Sequence, residues 1–161
     1  MKSQARSYSG LGREVGELLK AKGWTVSAAE SLTGGTIASM IAQVAGSSAY
    51  FVGSVTSYAV RVKEEVLGVD VSEGVVSEST ARQMAQGVAR LLQTDCALAT
   101  TGIAGPGGAE PGKPVGTVCI ATLTPEDSEC RTFTFEGDRE TVILQSADAA
   151  LEMLKGLLQK K

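Results

Sequence analysis

The sequence predicts an α/β fold in which helices cover both faces of a mostly parallel sheet. Apolar, strand-like runs alternate with amphipathic helical patterns in the first half of the chain, an order that favours parallel strands. Two strand-like runs follow one another near the end, so one strand is expected to be antiparallel. With 161 residues, of which 43% are hydrophobic and 20% charged, the chain is expected to form a single domain over residues 1–161 with its own core.

Helices and strands alternate in the first half. An amphipathic segment that ends before Gly23 predicts a first helix, because glycine commonly follows helix C-termini. The run WTVSAAE at 24–30 predicts a buried strand, and an apolar stripe that ends at Gly46 predicts a second helix. The β-branched run YFVGSVTSYA at 50–59 predicts a second strand, followed by a short helix closed by Gly68. The apolar positions of these helices are Leu11, Val15, Leu18, Leu19, Ile37, Met40, Ile41, Val44, Val62, Val66 and Leu67.

The second half holds a long helix, three strands and a last helix. Ser77 and Asp138 are residue types that cap helix N-termini, and each precedes a helical pattern. The run DCALATT at 95–101 is typical of a strand buried on both faces. The runs TVCIATL at 117–123 and CRTFTF at 130–135 predict two neighbouring strands joined by a turn. The long helix carries Met84, Val88, Leu91 and Leu92, and the last helix turns Ala147, Ala150, Leu151, Leu154 and Leu158 inward.

Composition argues against several classes of function. The net charge of −3, without a basic run, is unlike that of a nucleic-acid-binding surface. The apolar stretches are interrupted by Ser, Thr and Gly, so none is expected to span a membrane. The first residues lack the apolar segment of a signal peptide. We therefore expect a cytoplasmic protein without nucleic-acid or membrane partners.

The residue types also argue against a metal site. The chain has no histidine, and its three cysteines, Cys96, Cys119 and Cys130, lack the CxxC spacing of zinc ligands. Cys96 and Cys119 lie in apolar runs and are expected to be inert buried thiols. A magnesium site built from carboxylates alone stays open in principle, but no Asp/Glu cluster indicates one. We expect no metal and no cofactor.

Three segments are expected to meet in one crevice, because ligands of open α/β sheets bind beyond the carboxyl ends of the strands. They are Glu30–Gly35 after the first strand, Tyr58–Lys63 after the second, and Thr101–Gly108 after the third. The last of these is rich in glycine and could bring backbone amides close to a phosphate. It matches neither a P-loop nor a dinucleotide fingerprint, and a plain connection is the alternative.

Ser31 lies at a strand-to-helix turn, where α/β enzymes often place a nucleophile. The residues that follow, Thr33, Gly34 and Gly35, open a helix whose first N–H groups suit a phosphate or a developing oxyanion. The alternative is that Ser31 or Thr33 only caps the helix.

The base that would activate Ser31 cannot be histidine. Glu30 is adjacent, but in an extended strand its side chain points away from that of Ser31. Lys63 lies near the same crevice, and partial desolvation would lower its pKa enough to accept a proton. Tyr58 could relay that proton or bind the substrate. The alternative for Lys63 is a solvated helix lysine beside two glutamates.

Several motifs together resemble a known family. AAESLTGG, AGSSAYF, GSVTSYAVRVKEEVLGV and TTGIAGPGGAEPGKPVGTV, with a late match at GDRETV, are similar to the C-terminal domain of the CinA (competence/damage-inducible protein A) family. That family includes stand-alone nicotinamide mononucleotide deamidases of the PncC type. The resemblance implies a three-layer α/β/α sandwich with a mixed five-stranded sheet. It also implies a homo-oligomer that hydrolyses nicotinamide mononucleotide to nicotinate mononucleotide and ammonia.

The resemblance assigns the roles at the site. Ser31, Lys63 and Tyr58 would be catalytic. The nucleotide would be bound by Glu30, Thr33, Gly34, Gly35, Thr101, Gly102, Gly105, Gly107 and Lys113. The family pattern Tyr-Ser-Asn-Glu-x-Lys is changed here to Tyr-Ala-Val-Arg-Val-Lys, with Val60 at the asparagine position. We expect a weak deamidase whose activity rises at least tenfold when the family stretch is restored. The alternative is a catalytically weak or silent nucleotide-binding paralogue on the same fold.

Overall fold

The elements of the chain follow the predicted order of helices and strands. A computed structural model describes residues 4–160, with side chains from residue 10 onward. A single 3₁₀ turn, Ser47–Ala49, precedes the second strand. The elements are α1 (Gln4–Lys22), β1 (Val26–Glu30), α2 (Thr36–Ala42), β2 (Phe51–Thr56), α3 (Val60–Glu65), α4 (Glu78–Leu92), β3 (Cys96–Gly102), β4 (Thr117–Leu123), β5 (Ser128–Thr134) and α5 (Arg139–Gln159).

The sheet is mixed, and its strands lie in the order β2-β1-β3-β4-β5. β1 pairs in parallel with β2 and β3, whereas β4 is antiparallel to both β3 and β5. Four strands therefore point one way and β4 points the other, which confirms the mostly parallel sheet with a terminal hairpin. Glu30 is in register with Thr56 and with Thr100, so β1 and β2 end level with one another and β3 runs two residues further along the same edge.

The core lies in two layers, one on each face of the sheet. Alternate residues of β3 and β4 supply them: Leu98 and Ile120 face α1, α2 and α5, while Ala99 and Ala121 face α4. All four side chains are buried. This arrangement is the expected three-layer α/β/α sandwich.

Two helix caps predicted from sequence are present. The Oγ of Ser77 accepts a hydrogen bond from the N–H of Thr80 at 3.1 Å, and a carboxylate oxygen of Asp138 accepts one from the N–H of Thr141 at 2.9 Å. Such caps typically contribute about 1 kcal/mol each. Leu91, which the apolar pattern places with Met84 and Val88, is 49% exposed instead.

Candidate active site

A cavity of about 300 Å³ opens at the edge where the three parallel strands end. Residues from all three predicted segments line it, because the parallel pairing brings the carboxyl ends of these strands to the same edge of the sheet. Ser31 comes from the turn after β1, Tyr58 and Lys63 flank the start of α3, and a glycine-rich loop follows β3. The volume is at the lower end of the range for small-molecule sites.

Lys63 contacts Ser31 directly inside this cavity. The Nζ of Lys63 donates a hydrogen bond of 2.9 Å to the Oγ of Ser31. It also donates to two backbone carbonyls, that of Ser57 at 2.6 Å and that of Tyr58 at 3.3 Å. Among the described residues, no carboxylate lies within ion-pair distance of this amine. The lysine is therefore held by neutral acceptors only.

Burial makes Lys63 a plausible base. The side chain is 1% exposed, so the alternative of a solvated helix lysine is wrong. Burial also lowers the pKa of Lys63 below its ordinary value, because desolvation disfavours the charged amine. A neutral amine has two N–H groups and one lone pair. When the amine is neutral and both N–H groups donate to the carbonyls of Ser57 and Tyr58, its lone pair is left to accept the proton of the Ser31 hydroxyl.

The hydroxyl of Tyr58 is engaged elsewhere. It accepts a hydrogen bond of 2.8 Å from Arg139, at the start of α5, and the side chain of Tyr58 is 58% exposed. A second guanidinium nitrogen of Arg139 donates to the carbonyl of Gly105 at 2.7 Å. Arg139 thus joins the segment after β2 to the loop after β3, and it lines the cavity itself. It was not among the site residues predicted from sequence, although GDRETV contains it.

Glu30 lies away from the cavity and caps α2. Its side chain is fully buried, and its two carboxylate oxygens accept hydrogen bonds from the N–H groups of Ile37 and Ala38 at 2.8 and 2.9 Å. The N-cap position of α2 is Gly35, so neither Ser31 nor Thr33 occupies it. A carboxylate at a helix N-terminus satisfies both the free donors and the helix dipole. The expectation that Glu30 binds substrate is not supported by this placement.

The N–H groups that were expected to hold an anion are largely occupied. The N–H of Gly34 donates to the carbonyl of Ser31 at 3.0 Å, and that of Thr36 donates to the carbonyl of Thr33 at 2.9 Å. With Ile37 and Ala38 bound to Glu30, the N–H groups of the first turn of α2 itself are occupied by the chain. The expectation of an anion site there is corrected, because the chain supplies its own carboxylate.

Three further predicted substrate contacts lie outside the cavity lining. The hydroxyl of Thr33 is buried against the hydroxyl of Thr100, with 2.8 Å between the oxygens. Gly34 and Gly35 line a separate depression beside α2 and α5. These positions support the turn that presents Ser31 and do not face the site.

The glycine-rich loop lines the cavity as predicted. Thr101, Gly102, Gly105 and Gly107 all contribute to its lining. The hydroxyl of Thr101 donates to the carbonyl of Val75 at 2.8 Å, which ties the loop to the segment before α4. Gly105 has φ +86°, a conformation that favours glycine, whereas a Cβ at Gly107 would meet nothing within 4 Å.

At the far end of this loop, the residue that lines the cavity is Glu110 and not the predicted Lys113. Lys113 does not line the cavity, and its amine lies 4.0 Å from the carboxylate of Glu110. Glu110 does line the cavity, although no sequence pattern singles it out. The charged side chains around the site are therefore those of Lys63, Arg139 and Glu110.

Val60 also lies outside the lining. It is the first residue of α3 and is 39% exposed. Ala59 occupies the N-cap of α3 and offers no side-chain hydrogen bond there. The altered family stretch therefore forms the start of the helix that carries Lys63 and does not line the cavity.

No three Asp, Glu or Cys side chains in the described part of the chain converge as a metal site requires. None of the helices in the same part of the chain combines the length and the apolar character needed to cross a membrane. The thiol of Cys96 is buried, and burial raises its pKa to about 12, which keeps it protonated.

Comparisons with known proteins show that the chain is similar to members of one family. A family model described as the CinA C-terminal domain matches residues 9–158. A CinA-like protein of Syntrophobacter fumaroxidans is 43% identical over 148 residues, which are 89% of this chain and 35% of that protein. A CinA-like protein of Geotalea daltonii is 46% identical over 145 residues, which are 88% of this chain and 35% of that protein. The chain thus spans about a third of the length of these curated relatives.

Solved structures share the fold over nearly their full length. The competence/damage inducible protein CihA from Agrobacterium tumefaciens superposes with a TM-score of 0.90 at 37% identity, covering 94% of this chain and 96% of that chain. The competence damage-inducible protein A from Klebsiella pneumoniae superposes with a TM-score of 0.89 at 34% identity, covering 96% and 99% respectively.

Proposed function

The chain belongs to the CinA C-terminal domain family, and from that premise we propose that it hydrolyses the carboxamide of nicotinamide mononucleotide to nicotinate mononucleotide and ammonia. The observation that carries the proposal is the 2.9 Å contact between the buried amine of Lys63 and the hydroxyl of Ser31. A nucleophile within hydrogen-bond reach of a desolvated base is the arrangement that covalent catalysis needs. The identity of the substrate rests on the family resemblance.

The first half of the reaction forms an ester on the enzyme. The Oγ of Ser31 attacks the amide carbon while its proton moves to the neutral Nζ of Lys63. The tetrahedral oxyanion accepts a hydrogen bond from the backbone N–H of Leu32, which follows the nucleophile and lines the cavity. When the C–N bond breaks, Lys63 gives its proton to the departing nitrogen, which leaves as ammonia.

The second half releases the acid. Water attacks the ester carbon and gives a proton to Lys63, which the departure of ammonia has left neutral. The bond between the carbon and the Oγ of Ser31 then breaks, and Lys63 returns the proton to that oxygen. The product is the free carboxylic acid, and the enzyme is restored.

Arg139 supplies the cation for the substrate phosphate. It lines the cavity, and its guanidinium is already fixed by Gly105 and by Tyr58. A planar guanidinium suits the oxygens of a phosphate. It takes the role expected of Lys113. Lys113 lies outside the cavity lining and is paired with Glu110.

A silent nucleotide-binding protein would use the same cavity but would not need the buried amine. The test is incubation of the purified protein with nicotinamide mononucleotide, with ammonia measured enzymatically and the nucleotide product identified by mass spectrometry. We expect equal amounts of ammonia and nicotinate mononucleotide. Binding of the nucleotide without release of ammonia would establish the silent protein instead.

A further inference from the structure

Glu110 is the one carboxylate among the described residues that line the cavity. A tight turn fixes its backbone: the N–H of Glu110 donates to the carbonyl of Lys113 at 2.9 Å, and the N–H of Lys113 donates back at 2.8 Å. The side-chain carboxylate of Glu110 lies 4.0 Å from the amine of Lys113, and more than half of the side chain is exposed. The turn thus fixes the backbone of Glu110 at the cavity wall, and the carboxylate lies there beside Lys113.

The chemistry of a carboxylate limits what it can recognise. Its oxygens only accept hydrogen bonds, and its charge repels a phosphate. In the proposed function Arg139, held at Gly105 and Tyr58, takes the phosphate, which leaves another part of the ligand to Glu110. Two neighbouring hydroxyl groups match two carboxylate oxygens, the pairing by which acidic residues recognise ribose in nucleotide sites.

We propose that Glu110 determines specificity by accepting hydrogen bonds from the ribose hydroxyls, so that the site takes ribosyl phosphates and discriminates against 2′-deoxyribosyl ones. The substrate class rests on the proposed function. The discrimination itself does not require turnover, since it belongs to the binding of the sugar phosphate. A hydrogen bond to a charged group is worth about tenfold to a hundredfold in affinity.

The test measures binding of ribose 5-phosphate and 2-deoxyribose 5-phosphate by isothermal titration calorimetry. Wild-type protein is expected to prefer the ribose compound by about tenfold or more. Glu110→Ala should bind the two compounds nearly equally. Glu110→Gln should show a preference for the ribose compound that is intermediate between those of the wild type and Glu110→Ala. Glu136→Ala, which removes an exposed carboxylate outside the cavity, is the matched control and should keep the preference. Thermal melting checks that each variant is folded.

Two results would overturn the proposal. One is the absence of a preference in the wild type, and the other is a preference that survives in Glu110→Ala. If Glu110→Ala weakens the binding of nicotinamide mononucleotide but not the binding of either sugar phosphate, the carboxylate acts on the cationic ring, and the proposal also fails. Ammonia release from nicotinamide mononucleotide is measured separately on the wild type, so a failure of the amidase function is recognised independently.

Discussion

The hydroxyl of Tyr58 accepts a hydrogen bond of 2.8 Å from Arg139, which lies 81 residues further along the chain. The same tyrosine contacts Lys63 through its backbone carbonyl, at 3.3 Å. The phenol of Tyr58 therefore contacts Arg139, while the main-chain carbonyl of Tyr58 helps to hold the amine of Lys63. This geometry favours a positioning role for Tyr58 over the proton relay considered from sequence.

Removal of the Tyr58 hydroxyl tests that distinction. We expect Tyr58→Phe to lower kcat/KM about fivefold, the value of one modest hydrogen bond, because Arg139 loses a partner. The pH profile should keep its shape, since the carbonyl contact with Lys63 remains. In Arg139→Met the hydrogen bond is already absent, so adding Tyr58→Phe should cost little more. A shifted pH profile in Tyr58→Phe would instead indicate a proton relay.

Loss of the nucleophile should separate chemistry from stability. Ser31→Ala is expected to abolish ammonia release while changing the melting temperature little, because a strand-end hydroxyl buries little apolar area. Ser39→Ala, an exposed serine on α2, is the matched control and should retain activity. Activity of Ser31→Ala within a few fold of wild type would show that Ser31 is not the nucleophile.

The protonation state of Lys63 should set the pH dependence. Burial lowers its pKa from the ordinary 10.5, and only the neutral amine accepts a proton. Wild-type kcat/KM should therefore rise with pH through an apparent pKa below 10.5 and level off above it. Lys63→Met should be inactive at every pH, and Lys63→Arg should be equally inactive because arginine stays charged. Turnover by Lys63→Met would assign the base elsewhere.

Glu30 should matter for folding more than for binding. Glu30→Ala leaves the N–H groups of Ile37 and Ala38 without their acceptor, and each such loss costs about 1–3 kcal/mol. We expect chemical denaturation to show a loss of about 2–5 kcal/mol in the free energy of unfolding. Glu64→Ala, an exposed glutamate of α3, should change it little. An unchanged unfolding free energy in Glu30→Ala would contradict the capping role.

The altered stretch before Lys63 should act through α3. Ala59→Ser adds a side-chain cap to a helix that lacks one and is expected to stabilise the protein by about 1 kcal/mol. Val60→Asn is expected to change kcat/KM only about twofold, because the exposed Val60 lies outside the cavity. This outcome replaces the tenfold gain expected from sequence for Ala59→Ser, Val60→Asn and Arg61→Glu together. A tenfold gain from Val60→Asn alone would show a substrate contact.

The pairing of Ser31 with Lys63 could be anticipated because the underlying rules are local. Buried runs identify the strands, and alternation with helices makes β1 and β2 parallel, so their carboxyl ends meet. The absence of histidine then leaves few bases. The order of helices and strands along the chain, the hairpin and both helix caps followed from equally short patterns.

The contacts that could not be anticipated join distant parts of the chain. Arg139 reaches Gly105 across 34 residues and Tyr58 across 81, and no spacing in the sequence records such a contact. The capping role of Glu30 escapes the sequence for another reason. The local pattern shows a helix start whose N–H groups suit a ligand, but it does not show that a carboxylate seven residues before Ile37 binds them.

The proposed chemistry and the proposed recognition use different stretches of this chain. Ser31, Lys63 and the carbonyls that orient the amine all lie within residues 31–63, whereas the glycine loop and Arg139 lie within 101–139. In evolutionary terms, one substitution at Ser31 or Lys63 would convert an enzyme with the proposed activity into a protein that binds the ligand without turnover. A lineage that had taken this step would preserve the later stretch while the earlier one drifted.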